Sequence, residues 1–263
     1  MRMMNDLMSS AYWAIPNLSP LLVFRMIRLT LKYGSHPNTP FALGTYGVLQ
    51  CGIFGDMPKG QAFLNISIAL MNKLDNKEWQ AQIHVNYSLI PHWNMHAREA
   101  LEPLKESYHI GLETGAIEFA CVNSQLYCIN SFLVGRPLKK IEKEAKAYSE
   151  SFLELKQETS YFYNETWRHA MLNFMGRSDN PLALLSDTYD EDKMLAQNVE
   201  RNDKNGEFFI WFNKMMLCVF FREFERAEGY AKRCRELLET VLSKFEIPNH
   251  HFYEGLMLSL IHI

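Results

Sequence analysis

No stretch of this sequence approaches the roughly 20 consecutive apolar residues that a membrane span requires. The nearest candidates are Met215 to Phe221, which is far too short, and Pro20 to Leu31, which Arg25 and Arg28 interrupt. Nor do Met1-Arg2-Met3-Met4, followed by Asn5 and Asp6, lead into the apolar core of a signal peptide. The chain is therefore expected in the cytoplasm. Disulfide chemistry is lacking too. The five cysteines, Cys51, Cys121, Cys128, Cys218 and Cys234, stand singly inside apolar stretches. An odd count without close pairs speaks against a disulfide framework and for a reducing compartment, with the thiols acting as small buried hydrophobes. The net charge is only -3, so no global basic field draws the chain to nucleic acid or to an anionic membrane.

Catalytic signatures are equally sparse. There is no Gly-x-Ser-x-Gly, and no cysteine has a nucleophile's local signature. Gly52 to Gly60 holds several glycines and Lys59, but not in P-loop order, and no Ser or Thr follows the lysine to hold magnesium. His92 and His96 have an i, i+4 spacing that can bind zinc, yet Trp93 stands where a metalloprotease needs its glutamate and Pro91 breaks the helix. His250 and His251 are neighbours, about 100° apart around a helix, which is a poor start for sharing an ion. Asp187 to Asp192 is the densest acidic run. It does not match a calcium loop and suits a helix start, where acids interact favourably with the dipole. The basic and aromatic residues from Tyr161 to His169 lack the density of a nucleic-acid face. No catalytic, metal or cofactor site is expected; the remote alternative is an all-α enzyme assembled from distant residues such as His84, His92 and His169.

What is present is helical. Apolar residues recur at three- and four-residue spacings, as in Leu138, Ile141, Ala145, Tyr148, Phe152 and Leu155, with Lys139, Lys140, Glu142, Lys143 and Glu144 on the opposite face. Breakers divide the chain into five helical hairpins at about 41–74, 78–115, 116–156, 161–202 and 207–244. The first turns at Gly55-Asp56-Met57-Pro58, the second around Asn94-Met95-His96, the third at Gly135-Arg136-Pro137 and the fifth at Arg222-Glu223. The fourth is less regular, with a loop from Gly176 to Pro181. After Ile247-Pro248-Asn249 a further helical pattern runs from His250 to the end. Successive hairpins start about 40 residues apart, somewhat longer than the 34 of the regular tetratricopeptide unit. The expected fold is all-α: one helical-repeat domain over 1–263, a tetratricopeptide-like superhelix of antiparallel hairpins (an α-solenoid), cut as an interior piece of a longer chain. Gly60, Ala100 and Ala227 are the small residues expected to let paired helices approach closely.

Asn86, Asn123, Asn164 and Asn213 fall at roughly comparable places in the first helices of their hairpins. They are expected either to form a polar ladder on a concave binding face, together with Tyr127, or to bridge neighbouring helices through buried amide hydrogen bonds. Trp79, Tyr87, Tyr127, Trp167 and Trp211 are the candidate aromatic anchors for a partner.

A series of segments resembles one family. Leu29-Thr30-Leu31-Lys32-Tyr33-Gly34, Tyr46-Gly47 and Cys51-Gly52-Ile53-Phe54-Gly55-Asp56 are similar to the helical-repeat region of large bacterial signalling proteins. Leu101-Glu102-Pro103-Leu104, Gly111-Leu112-Glu113-Thr114-Gly115, Leu155-Lys156-Gln157-Glu158-Thr159, Tyr189-Asp190-Glu191-Asp192-Lys193-Met194 and His251-Phe252-Tyr253 continue the resemblance in order along nearly the whole chain. Such proteins join a serine/threonine-kinase-like domain, an AAA-type ATPase, this repeat region, a GAF domain and a sensor histidine kinase. The resemblance implies a non-catalytic interaction and relay module, whose partners are the flanking ATPase and kinase domains or a signalling protein, with ATP bound only in those flanking domains. No kinase glycine loop, catalytic-loop aspartate or phospho-acceptor histidine box occurs here, so no catalytic residue carries over. The competing expectation is a free-standing, peptide- or ligand-sensing helical-repeat regulator.

Overall fold

The structure, a computed structural model, describes residues 1–75 and 77–261. It is all-helical. Among the described residues the only β-type pairing is an isolated bridge between Leu185 and Asp190. No helix among them is long and apolar enough to cross a membrane. The chain divides into two compact units, Met1–Tyr127 and Cys128–Ile263.

The first unit opens with α1 (Arg2–Ala14) and α2 (Leu18–Tyr33), two helices ahead of the first expected hairpin. That hairpin follows as α3 (Thr39–Gly52) and α4 (Met57–Lys73), packed against each other. The turn between them works as its residues dictate. Gly55 takes a positive φ of 68°, the Asp56 side chain caps α4 by accepting from the Lys59 amide, and Pro58 occupies the first turn. The expectation for Gly60 holds: a Cβ there would meet Cys51 Sγ at 2.2 Å and the Gly47 carbonyl at 2.9 Å. Two glycines facing each other thus let the helices close to backbone contact.

The second hairpin departs from expectation. Its first arm is only α5 (Gln80–His84), followed by 3-10 turns at Val85–Ser88, Pro91–Trp93 and Ala97–Ala100 before α6 (Leu101–Thr114). Pro91 supplies no N–H and its ring clashes with the carbonyl four residues earlier, so a regular α-helix cannot run through it. Gly115 ends α6 in the left-handed conformation, as a helix C-terminus favours. The unit boundary falls within α7 (Ile117–Leu133).

The second unit continues with α8 (Leu138–Glu154), α9 (Glu158–Phe174), α10 (Glu191–Glu200), α11 (Lys204–Phe220), α12 (Phe224–Leu237) and α13 (Glu246–Ile261). Ile141, Ala145 and Phe152 of α8 are buried as the periodicity requires. Glu142, expected on the solvent face, is buried instead, because Arg168 of α9 bonds it. α12 stops earlier than its pattern suggested; the backbone leaves the helix at Val241, burying that side chain, and Ser243 takes a positive φ. The starts of α3, α5, α7, α9 and α11 keep the expected interval of about 40 residues.

The core of the second unit centres on α11, which packs against α9, α10, α12 and α13. Trp167, Phe208, Phe209 and Phe212 lie fully inside it. Phe208 and Phe212 stack at 5.6 Å, and Trp167 meets Phe209 edge-on at 5.8 Å. Each such ring contributes about 1.5–3 kcal/mol through its removal from water. Ala227 at the α11–α12 crossing is fully buried, as expected of a small residue at a close approach.

Candidate functional site

The asparagines and Tyr127 do not form an accessible face. Asn86, Asn123, Asn164, Asn213 and Tyr127 are all buried, and they divide between the two units. The alternative of buried amide bonds describes them better. Asn123 Nδ2 donates to the Ala81 carbonyl on α5 and to Phe119 in its own helix, both at 2.7 Å. Asn164 Nδ2 donates to the Ala145 carbonyl (2.7 Å) and Ser149 Oγ (2.8 Å) on α8. Asn86 and Asn213 donate within their own turns, to Ile83 and Phe209. The Asn86 amide also presses on Gly44 of α3, where a Cβ would lie 2.6 Å away. Their N–H groups find acceptors, while the Oδ1 atoms of Asn123, Asn164 and Asn213 are buried without a hydrogen-bond partner. Sequence spacing shows that these positions recur; it does not show which side of the helix meets a neighbour.

Of the candidate histidines, His84 and His169 are buried and His92 is half-buried. His84 Nδ1 lies 2.7 Å from Ser107 Oγ, and burial lowers its pKa to about 4 against the weaker pull of the Pro103 carbonyl. Burial brings His92 down to about 3. His169 Nδ1 sits 2.8 Å from the Glu165 carbonyl and Nε2 2.8 Å from Ser186 Oγ, while its ring stacks on Tyr189 at 4.8 Å. A hydroxyl on a neutral imidazole is the beginning of a nucleophile arrangement. Here, however, the imidazole is oriented by a main-chain carbonyl, and Ser186 Oγ also accepts from the Thr188 amide at 3.2 Å, closing a local turn. The contact fastens the loop between α9 and α10 to α9.

Charged groups also fasten α8 to α9 and the same loop to α11. Arg168 bonds Glu165 through Nε (2.7 Å) and Nη2 (2.8 Å), and Glu142 through Nη1 (3.0 Å); Ser149 donates to Glu165 at 2.6 Å. Burial pushes the Glu165 carboxyl up, but Arg168 and Ser149 together bring it below its ordinary value. Lys214 of α11 bonds both Glu191 and the Leu182 carbonyl, and Glu191 in turn accepts from the Leu184 amide at 2.8 Å. Asp190 caps α10 through the amides of Asp192 and Lys193, the structural role expected of the acidic run.

Accessible chemistry lies instead on α2. Leu21, Phe24 and Leu31 are 61%, 40% and 83% exposed, values that place large apolar side chains in solvent, and Arg25, Arg28 and Lys32 are exposed beside them. At 100° per residue, Leu31, Phe24, Arg28, Leu21, Lys32 and Arg25 follow one another across an arc of roughly 120°. Val23 and Met26 occupy the buried side. No Asp or Glu occurs between Asp6 and Asp56, so α2 itself carries no acidic side chain against its three cations. The signal was present in the sequence as the two arginines interrupting an apolar run. Of the aromatic anchors, Trp167 is core. Trp211 is half-buried, stacks on Tyr230 at 5.7 Å and borders a cleft of about 330 Å3 with Leu195, Val199, Lys204, Arg233 and Glu236.

No protein-family model matches this chain, and no curated protein matches it.

Proposed function

We propose that this chain is a non-catalytic protein-interaction and relay module of a multidomain cytoplasmic signalling kinase–ATPase, its hairpins stacked as a tetratricopeptide-like superhelix. The observation that carries the reading is the basic and apolar face of α2, which suits a partner surface offering acidic residues around an apolar centre. The buried polar groups support a non-catalytic role, since they bond one another and hold loops in place. The partners under this reading are the flanking ATPase or kinase domains, or a separate signalling protein.

The test is titration of the purified chain with the domains encoded in frame on either side of it. Saturable binding that Phe24→Glu with Leu31→Glu weakens at least tenfold supports the reading. Absence of affinity for every such domain overturns it. The free-standing sensor is the second reading, favoured by the mixed apolar and charged cleft beside Trp211. A stop codon after Ile263, with a promoter ahead of Met1, supports that reading; an in-frame continuation supports the first.

A further inference from the structure

The last helix carries a group of side chains whose ligating atoms the α2 face and the ion pairs of α8 to α11 do not involve. His250, His251 and Glu254 offer one ligand atom each, all lying within 4.8 Å of one another. Two adjacent histidines by themselves diverge by about 100° around a helix, the objection raised from the sequence. The third residue changes the geometry: with His250 at 0° and His251 at 100°, Glu254 falls at roughly 40°, between them. The two imidazole planes stand 88° apart with centroids at 5.3 Å, so they approach the shared point from different directions.

His250 is the informative member. Its side chain is 0% exposed, yet Nδ1 makes no hydrogen bond. The other ring nitrogen, Nε2, faces the Ala231 carbonyl at 3.4 Å. A carbonyl only accepts, so Nε2 carries the proton and Nδ1 presents its lone pair. That lone pair faces Glu254 Oε2 at 3.9 Å. Two acceptors opposed in a buried place, with no proton between them, form an unfavourable arrangement that a cation would convert into a favourable one. A ring nitrogen turned to a main-chain carbonyl while the other points at a carboxylate is also how metal-binding histidines are oriented. Arg235 Nε holds Glu254 Oε1 at 3.1 Å and so orients the carboxylate with Oε2 toward His250.

We propose that His250 Nδ1, His251 and Glu254 Oε2 form a site for a divalent transition-metal ion of the zinc class on α13. Two histidines and a carboxylate match the nitrogen and oxygen donors that zinc takes, and three protein ligands leave a fourth position to solvent. Donor atoms on one tetrahedral zinc stand roughly 3.3 Å apart, so the outer two side chains must swing in by about 1.5 Å toward the fixed His250. Both are able to: His251 is exposed and Glu254 is half-buried. The Arg235 charge opposes the cation and weakens its binding.

The test uses the full chain, free of any histidine tag, titrated with zinc chloride against a chromophoric chelator, with cobalt(II) absorption as a second readout. The expected result is one saturable zinc ion per chain, an upward shift in Tm on zinc addition, and a tetrahedral cobalt spectrum. His251→Ala and Glu254→Gln, both at positions that leave the core intact, should each weaken binding at least tenfold and abolish the Tm shift. Arg235→Gln should retain the site or tighten it, which a merely structural Arg235–Glu254 pair would not do. Absence of saturable zinc binding at micromolar concentration overturns the proposal. So does binding that persists unchanged in His251→Ala and Glu254→Gln.

Discussion

Helices α2 and α11 are both rich in apolar residues, yet α2 buries Val23 and Met26 while α11 buries nearly its whole length from Asn205 to Val219. The difference lies in the neighbours. α11 is enclosed by α9, α10, α12 and α13, whereas among the described residues α2 packs chiefly on α1 and α3. An apolar side chain becomes core when other elements cover it; the residue alone does not decide. The same contrast separates the polar groups. In the second unit Glu142, Glu165, Arg168, Glu191 and Lys214 meet in pairs within the helix packing, while the charges of α2 stand in solvent.

Truncating one ring of the enclosed region should give the largest effect. Phe212→Ala leaves a cavity beside Trp167 and Phe208, with an expected loss of about 3–5 kcal/mol. Denaturant unfolding, with hydrogen exchange to place the loss in the second unit, would check it; a loss under 1 kcal/mol would remove the distinction between α11 and α2. Arg168→Met should come next, at about 3 kcal/mol, because two buried carboxylates lose their shared partner. Glu165, held below its ordinary value in the wild type, contributes stability that is present above the carboxylate's unfolded pKa of 4.5 and lost as pH falls through the lower folded value. The variant should already have lost that contribution at pH 7, so its unfolding profile should depend less on pH below 4.5.

The first unit has its own acid sensitivity. His84 is held neutral, with its folded pKa about 4 against 6.5 unfolded. Since the unfolded chain takes up the proton first, stability is intact above pH 6.5 and falls as pH drops toward 4, by up to roughly 3 kcal/mol. His84→Asn should remove its share of that slope, read by unfolding at pH 7.0 and 4.5. The smallest effect belongs to Leu31→Ser on α2, within about 0.5 kcal/mol of wild type. A larger loss would mean that the exposed stripe supports the fold rather than a partner.

Much of the local architecture was legible. Gly55, Gly115 and Gly135 sit at positive φ where helices end, and Asp56 and Asp190 cap helices that follow them. These signals act through the backbone of two or three neighbouring residues, so they survive whatever surrounds them. The region from 80 to 100 was not legible as such: Pro91 breaks a helix, but the string of 3-10 turns also meets α4, where Asn94 Nδ2 donates to the Met57 carbonyl at 2.8 Å. The candidate binding residues were misplaced for a related reason. Asn123 and Asn164 recur at helical spacing, but only the packing shows α5 and α8 lying over them.

The sequence by itself determined an all-helical chain, most of its turns, the small residues at close crossings and the burial of five cysteines. Each follows from backbone sterics or from apolar periodicity, which are local properties. Tertiary structure alone decided which polar side chains went inside. Glu142 left its expected solvent face because Arg168 waited on the next helix. His250 came to face Glu254 without a proton because its other nitrogen met Ala231. A polar group's place depends on the partner that compensates its desolvation, and that partner is chosen by packing between distant segments.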